Sequence, residues 1–285
     1  MTTWHALFLG IVQGITEFLP VSSSGHLALG QYFLGLENLK SYVLFDLVCH
    51  LGTLLAIVYS LRAGWFHSLT QPPIPSPCGN IEENSILKKR ESRRVFTRSL
   101  CWQGLIATLP LFPLVFLLKP IKQAFDQPWL WGPCFLASAC MLFVGFYFQL
   151  PVNADSSRKR WQDPLTIGVF QAIAILPGIS RSGTTISIAR LLGWSKEQAT
   201  QFSFLLAIPA ILGGTVWEGW HAWHTSTALP SSIDLWTFFV GLATSFLVGC
   251  LSLRLLIHVI LKDMWVYFAW YCLTLGLTTT VYFYG

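Results

Sequence analysis

Charge is scarce in this chain. Only 11% of its 285 residues are Asp, Glu, Lys or Arg, and 53% are hydrophobic, whereas a soluble domain carries about 25% charged residues. That shortage excludes a globule covered by water and makes the bilayer the solvent. It also changes the meaning of the +5 net charge: the basic residues fall in loops between apolar spans, so they set orientation in a membrane and do not describe a nucleic-acid surface. Paired cysteines are missing as well. Cys49, Cys78, Cys101, Cys134, Cys140, Cys250 and Cys272 form no C-x-x-C pair and lie mostly within apolar stretches, so they read as small hydrophobes. The N-terminal Met-Thr-Thr has no basic region and no A-x-A-like cleavage site after it, and a removable signal peptide is not expected.

Long apolar runs, by contrast, are abundant. About 20 residues are needed to cross the hydrocarbon, and six stretches qualify: roughly 43–61, 99–118, 130–150, 202–219, 235–257 and 264–284. Four shorter pieces, 4–19, 26–36, 165–176 and 184–193, do not. They come in two pairs, each split by a polar break, "EFLPVSSSGH" at 17–26 and "LPGISRSGTT" at 176–185. Short half-helices around a Gly/Pro break predict re-entrant hairpins that dip in and return to the same side. The basic residues of the 62–98 linker and of Arg158, Lys159 and Arg160 then share one side, assigned to the cytoplasm. Trp129, Trp131, Trp217, Trp220, Trp223 and Trp236 fall at the predicted outer ends. Trp65, Trp102, Trp161, Trp194 and Trp265 fall at the inner ends, as an aromatic belt requires.

The two breaks are one motif used twice. Sliding the chain by 158 positions lays Gly10, Gln13, Ile15, Ser22, Ser24, Gly25, Leu34 and Gly35 on Gly168, Gln171, Ile173, Ser180, Ser182, Gly183, Leu192 and Gly193. One pair enters from outside and the other from the cytoplasm, which predicts an inverted repeat whose broken helices meet near the midplane. The fold class expected is therefore an all-α polytopic membrane protein with six transmembrane helices and two re-entrant helix pairs. It forms a single integral-membrane domain over 1–285, with a first repeat at about 4–118, including the linker, and a second at about 165–284.

An intramembrane carboxylate costs roughly 2.5–3.5 kcal/mol on insertion scales, so Glu17 is a candidate for cation binding or proton chemistry; the plain alternative is a hydrogen bond to free backbone at the break. Gln13 lies on the same helical face at i, i+4. Arg181, in a Gly/Ser turn before a short helix, suits an anion or serves as a structural partner of Glu17. Ser23 in the first break corresponds to Arg181 in the second, and the two side chains are expected to face one another. Ser22, Ser23 and Ser24 offer a nucleophile and His26 a base, unless the serines only satisfy backbone. Asp46 and His50, at i, i+4 on the next span, either support the site from behind or satisfy each other.

"GIVQGITEFLPVSSSGHL" and "LPGISRSGTTIS" resemble the two signature segments of the undecaprenyl-diphosphate phosphatase family, the bacterial proteins linked to bacitracin resistance. The resemblance extends through "FDLVCHLGTLLAIV" at 45–58 and "FSFLLAIPAILGG" at 202–214. It implies hydrolysis of a C55 isoprenyl diphosphate to the monophosphate and inorganic phosphate, recycling the carrier lipid for peptidoglycan at the bacterial inner membrane. It implies a divalent cation, Mg2+ or Ca2+, on Glu17; this chain has Gln13 where members with two carboxylates have a second one. It further implies Ser23 at the nucleophile position and His26 at the essential histidine. Phosphate contacts by Ser180, Arg181 and Thr185 follow from the second segment, with Gln13, Ser22, Ser24, Gly25, Ser182 and Gly183 completing the substrate cradle. The partners expected are a polyprenyl diphosphate and the bilayer; a homo-oligomer is left open. The competing class is a polyprenyl-phosphate flippase or secondary transporter, which uses inverted repeats but needs no nucleophile.

Overall fold

The computed structural model describes residues 1–36, 39–62, 102–150, 162–224 and 234–285. The linker expected at 62–98 lies outside the described residues after Arg62, as does most of the basic 151–164 loop. Every regular element described is helical. The first break separates α1 (Thr3–Thr16) from α2 (Ser23–Phe33), and α3 (Leu39–Arg62) follows. Residues 102–108 form α4, which tightens into a 3-10 stretch at Leu109–Leu117 around Pro113 before α5 (Leu118–Phe125) and α6 (Pro128–Tyr147). The second break separates α7 (Gln162–Ile173) from α8 (Arg181–Leu191). The chain ends with α9 (Lys196–His224), α10 (Leu235–Leu261) and α11 (Val266–Tyr284).

Five of these helices are long and apolar enough to cross a membrane, carried by Tyr42–Arg62, Pro128–Tyr147, Lys196–Trp217, Leu235–Ile260 and Val266–Tyr284. This is a multi-pass membrane protein. The sixth expected span, 99–118, is described from residue 102, and its apolar helix Trp102–Leu114 is shorter than the five. The four short helices also differ from the expected 4–19, 26–36, 165–176 and 184–193 at both ends, each starting and finishing one to three residues earlier. Residues 23–25 and 181–183, read as part of the breaks, are the first turns of α2 and α8. The reason is capping: the Ser22 and Ser180 side chains accept hydrogen bonds from the Gly25 and Gly183 backbone N–H groups, which starts each helix three residues earlier. Eleven residues span only about 16 Å, half of the hydrocarbon thickness.

Small residues bring the long helices together, as expected where lipid supplies no hydrophobic drive. A Cβ on Gly14 of α1 would stand 2.9 Å from the Gly249 nitrogen of α10, and one on Gly132 of α6 would stand 2.7 Å from the Thr280 nitrogen of α11. Phe18, Ile57, Leu142, Phe202, Leu206, Leu253 and Leu256 form a buried cluster that ties α3, α6, α9 and α10 to the first break. The outer surface is apolar, with Val216, Leu247, Leu251 and Val281 exposed, as befits a protein dissolved in hydrocarbon. Three tryptophans assigned to the interfacial belt depart from it. Trp131, Trp194 and Trp265 are buried, packing edge-on or tilted against Phe283, Phe202 and Phe146. Position near a helix end did not reveal which face of the helix they occupy. Among the described cysteines, Cys49 and Cys272 are buried as expected, whereas Cys140 is exposed.

Candidate active site

The breaks touch each other. Ser22 adopts a left-handed backbone (φ 73°), and its hydroxyl oxygen, besides capping α2, accepts from the Gly178 N–H of the second break at 3.2 Å. Ser182 donates back to the Leu19 carbonyl at 3.3 Å. Between these bonds Gly25 lies against Gly178: a Cβ on Gly25 would stand 2.8 Å from the Gly178 Cα and 2.6 Å from the Phe135 ring. Only glycine admits this crossing. Ser138 of α6 fixes the second break from behind, donating to the Gly178 carbonyl at 2.8 Å and accepting from the Ser180 N–H at 2.7 Å. The N-termini of α2 and α8 thus open at one junction, where free N–H groups favour negative charge.

Glu17, which follows the last turn of α1, is buried at this junction with four side chains around it. Arg181 pairs with Oε1. Oε2 accepts from the Gln13 amide at 2.9 Å and from the Ser23 hydroxyl at 2.6 Å. His50 Nε2 of α3 stands 3.6 Å from the same oxygen. The acid, the guanidinium and the hydroxyl singled out in the sequence therefore share one cluster, and Ser23 and Arg181 meet at the two oxygens of Glu17. Arg181 retains a route outward: its side chain is 21% exposed against 3% for Glu17, and its second amino group reaches the Ala207 carbonyl at 3.5 Å.

His26 stands apart from the hydroxyl it was expected to serve. Its Nδ1 bonds the Ser22 carbonyl at 2.6 Å and its Nε2 bonds the Tyr271 hydroxyl of α11 at 2.8 Å. The group receiving Ser23's hydrogen bond is Glu17. Asp46 and His50 do not satisfy each other's side chains either. Asp46 accepts from Gln31 at 2.7 Å, while His50 Nδ1 turns back to the Asp46 backbone carbonyl at 2.7 Å, aiming Nε2 at Glu17.

The remaining residues of the expected cradle divide in two. Ser22, Ser180, Ser182 and Thr185 are buried; the three serine hydroxyls cap or join the breaks, while Thr185 donates to Ser203 of α9 at 2.8 Å. Ser24 lies 3.4 Å from the Ser22 hydroxyl and is partly exposed. Gly183 presents its N–H to Ser180, and Gly25 serves the crossing. Sequence reasoning missed Ser138, Gln31 and Tyr271. A lone serine in "CFLASACMLF" was a readable signal for Ser138; a tyrosine in a span with many aromatic residues carried none.

The donor set also bears on a cation. Gln13 Oε1 is buried and has no hydrogen-bond partner, beside a carboxylate. Among the described residues no group of three His, Cys, Asp or Glu side chains is arranged to hold a metal. Gln13 Oε1 and Glu17 fit a hard cation that takes its other ligands from phosphate and water, as Mg2+ commonly does; they do not fit a closed all-protein site.

Comparison with known proteins identifies the family. The family described as bacitracin resistance protein BacA matches residues 6–278. The undecaprenyl-diphosphatase of Protochlamydia amoebophila (strain UWE25) is 51% identical over 283 residues, covering 99% of both chains. That of Bacteroides fragilis (strain YCH46) is 34% identical over 285 residues, covering 99% of this chain and 98% of its own. That of Alkaliphilus metalliredigens (strain QYMF) is 34% identical over 278 residues, covering 97% of each. Matched from end to end in this way, the chain belongs to the bacitracin resistance protein BacA family.

Proposed function

We propose that this chain is an integral-membrane phosphatase that hydrolyses undecaprenyl diphosphate to undecaprenyl phosphate and inorganic phosphate. The observation that carries the reading is the meeting of Glu17, Ser23 and Arg181 where two helix N-termini converge. The names of the full-length relatives supply the substrate. In this reading the molecule is an inverted repeat with six spans and two re-entrant pairs, residing in the bacterial cytoplasmic membrane. Its basic loops face the cytoplasm and the first break opens outward. The isoprenyl tail lies along the spans, where each buried CH2 contributes about 0.8 kcal/mol.

Arg181 exchanges Glu17 for oxygens of the terminal phosphate, a change that its partly exposed position permits. Its planar fork and the α8 N-terminus stabilise charge as it develops on the phosphoryl oxygens. Ser23 attacks phosphorus, or orients the water that does, and gives its proton to Glu17, whose Oε2 it already faces at 2.6 Å. The bond from phosphorus to the bridging oxygen breaks and undecaprenyl phosphate leaves. Where Ser23 is the nucleophile, water then attacks the phosphoserine, inorganic phosphate departs and the proton on Glu17 returns to the Ser23 oxygen. Where water is the nucleophile, it gives its proton to Glu17 and inorganic phosphate forms in the same step. His50 and Gln13 hold the acceptor oxygen in place. A divalent cation, Mg2+ or Ca2+, held by Gln13 Oε1 and Glu17, would neutralise charge on the diphosphate.

Phosphate release by purified protein given undecaprenyl diphosphate and Mg2+ or Ca2+, with chelator as control, tests the reading. Ser23→Ala is expected to lower kcat by at least about 100-fold with lipid binding retained, the scale of a lost proton-transfer partner. Full activity in Ser23→Ala would remove serine from the scheme. A wild-type protein that binds the lipid and releases no phosphate would favour the flippase.

A further inference from the structure

Helices α3 and α10 run parallel and touch closely along one seam. Gly52 lies against Ser245, and a Cβ on Gly249 would stand 3.3 Å from that of Ala56; in both contacts the level residues are 193 positions apart. Beside the seam the helices leave a groove of about 420 Å3, walled by Leu55, Val58 and Tyr59 of α3 and by Leu242, Ala243 and Phe246 of α10. The Tyr59 and Phe246 rings meet edge-on at 6.2 Å. Arg62, the last residue of α3, lines one end. Leu242 and Ala243 lie level with residues 49 and 50, so the groove runs about 20 Å from Arg62 toward the midplane, the depth of one leaflet with its headgroups. A second guanidinium stands at the height of the first: Arg254 is level with Leu61, and it continues the stripe of Ala243, Phe246 and Cys250 at helical spacing. Arg62 is exposed, and among the described residues no carboxylate pairs with it.

Cations at the interface end and apolar walls beneath them match the parts of one lipid, an anionic headgroup above an acyl chain. A guanidinium fork grips phosphate oxygens in two bonds, and a headgroup of net negative charge gains more from uncompensated cations than a zwitterion that brings its own. We propose that the groove between α3 and α10 binds one anionic phospholipid of the leaflet on the Arg62 side, cytoplasmic in the proposed topology. Its phosphate rests on Arg62 and one acyl chain lies along Val58, Leu55 and Phe246. The groove shares no residue with the Glu17 junction, and its occupancy does not depend on the phosphatase reading.

Native mass spectrometry of the full-length protein in detergent, titrated with phosphatidylglycerol or with phosphatidylcholine of the same acyl chains, tests the site. Wild-type protein is expected to hold one phosphatidylglycerol at least about tenfold more tightly than phosphatidylcholine, the scale of a charge-assisted hydrogen bond. Arg62→Gln is expected to bring the two lipids within about twofold. Lys262→Gln removes a cation from the same end of α10 but not from the groove, and is expected to leave the preference intact. Ala243→Leu fills the groove and is expected to weaken phosphatidylglycerol about tenfold with Arg62 in place, the effect of a blocked chain site. Equal retention of the two lipids by the wild type overturns the proposal. So does a preference that survives Arg62→Gln, or one that falls as far in Lys262→Gln, which would leave only attraction between a basic surface and an acidic lipid. Unweakened binding in folded Ala243→Leu protein overturns the chain site. Displacement of the bound phosphatidylglycerol by equimolar undecaprenyl phosphate would assign the groove to an isoprenyl chain and overturn it too. Arg62 is exposed at a helix end, so its replacement spares the fold, and Arg62→Gln decides alone should Ala243→Leu not fold.

Discussion

The turn that opens α2 and the turn that opens α8 have the same skeleton, 158 residues apart. Each begins with a serine that caps the N–H three residues on, Ser22 to Gly25 and Ser180 to Gly183. Each helix runs eleven residues and closes on a left-handed glycine, Gly35 (φ 69°) and Gly193 (φ 79°). The closing bonds also coincide: Leu36 N–H to Gln31 and Gly35 N–H to Tyr32 in one, Trp194 N–H to Ala189 and Gly193 N–H to Arg190 in the other. What differs is the chemistry mounted on that skeleton. Where the first break has Glu17, Ser23 and His26, the second has Ile175, Arg181 and Thr184. Gln13 donates to Glu17, while its counterpart Gln171, followed four residues later by isoleucine, is buried with both amide atoms unpartnered. The backbone repeats and the charges do not; one break supplies the acid and hydroxyl, the other the cation.

The sharpest way to break that division is to remove one charge at a time. Glu17→Gln and Arg181→Gln are both expected to reduce phosphate release by about 1000-fold, at the upper range for removing a transition-state stabiliser. Their stabilities should differ. Arg181→Gln strands the more buried partner and is expected to cost about 3 kcal/mol, the lower end for breaking a buried pair. Glu17→Gln strands a cation that reaches outward, and should lower the melting midpoint less. The double variant is expected to recover stability without recovering activity. Equal melting losses in the two single variants would contradict the asymmetry.

A smaller effect separates the two glycines that follow the capping serines by three residues. Gly25→Ala sets a methyl within 3 Å of the Gly178 backbone, which has no flexible end to move, and is expected to cost about 3 kcal/mol, the upper part of the range for overpacking. Gly183→Ala meets nothing nearer than the Ser180 hydroxyl at 3.1 Å and should cost under about 1 kcal/mol. Melting midpoints of the two variants in one detergent check the difference. Comparable losses would mean that the crossing of the breaks is not centred on Gly25.

Much of this was legible before any coordinates, and the reason is physical. Apolar length, the S-x-S-G spacing and an intramembrane acid and base are local patterns, and hydrocarbon tolerates few alternatives for them. Glu17 and Arg181 could be paired in advance because the repeat register brought their neighbourhoods together. Long-range partners of ordinary residues were out of reach. Nothing near His26 pointed to Tyr271, 245 positions away, and proximity in sequence suggested Ser23 as its client. Nothing near Asp46 favoured Gln31 over His50. Trp131, Trp194 and Trp265 followed the belt pattern by position, yet tertiary packing had turned them inward.

The capping serines offer the finest comparison. Replacing an N-cap serine by alanine costs about 1 kcal/mol, and Ser180→Ala should cost no more, because Ser138 still holds the Gly178 carbonyl and the Ser180 N–H. Ser22 carries an additional load. Its oxygen serves its own helix and the Gly178 N–H of the other break, and no second side chain duplicates the latter bond among those described. Ser22→Ala should therefore cost about 2 kcal/mol, a cap plus one stranded buried donor. Ser22→Gly separates the contributions: it loses the same oxygen but relieves the left-handed backbone at φ 73°, so it should fall between Ser180→Ala and Ser22→Ala in melting midpoint. If Ser22→Ala and Ser180→Ala melt together, the bond from Gly178 to Ser22 contributes nothing, and the two breaks are held in register by Gly25 packing together with the Ser182 and Arg181 contacts to the first break.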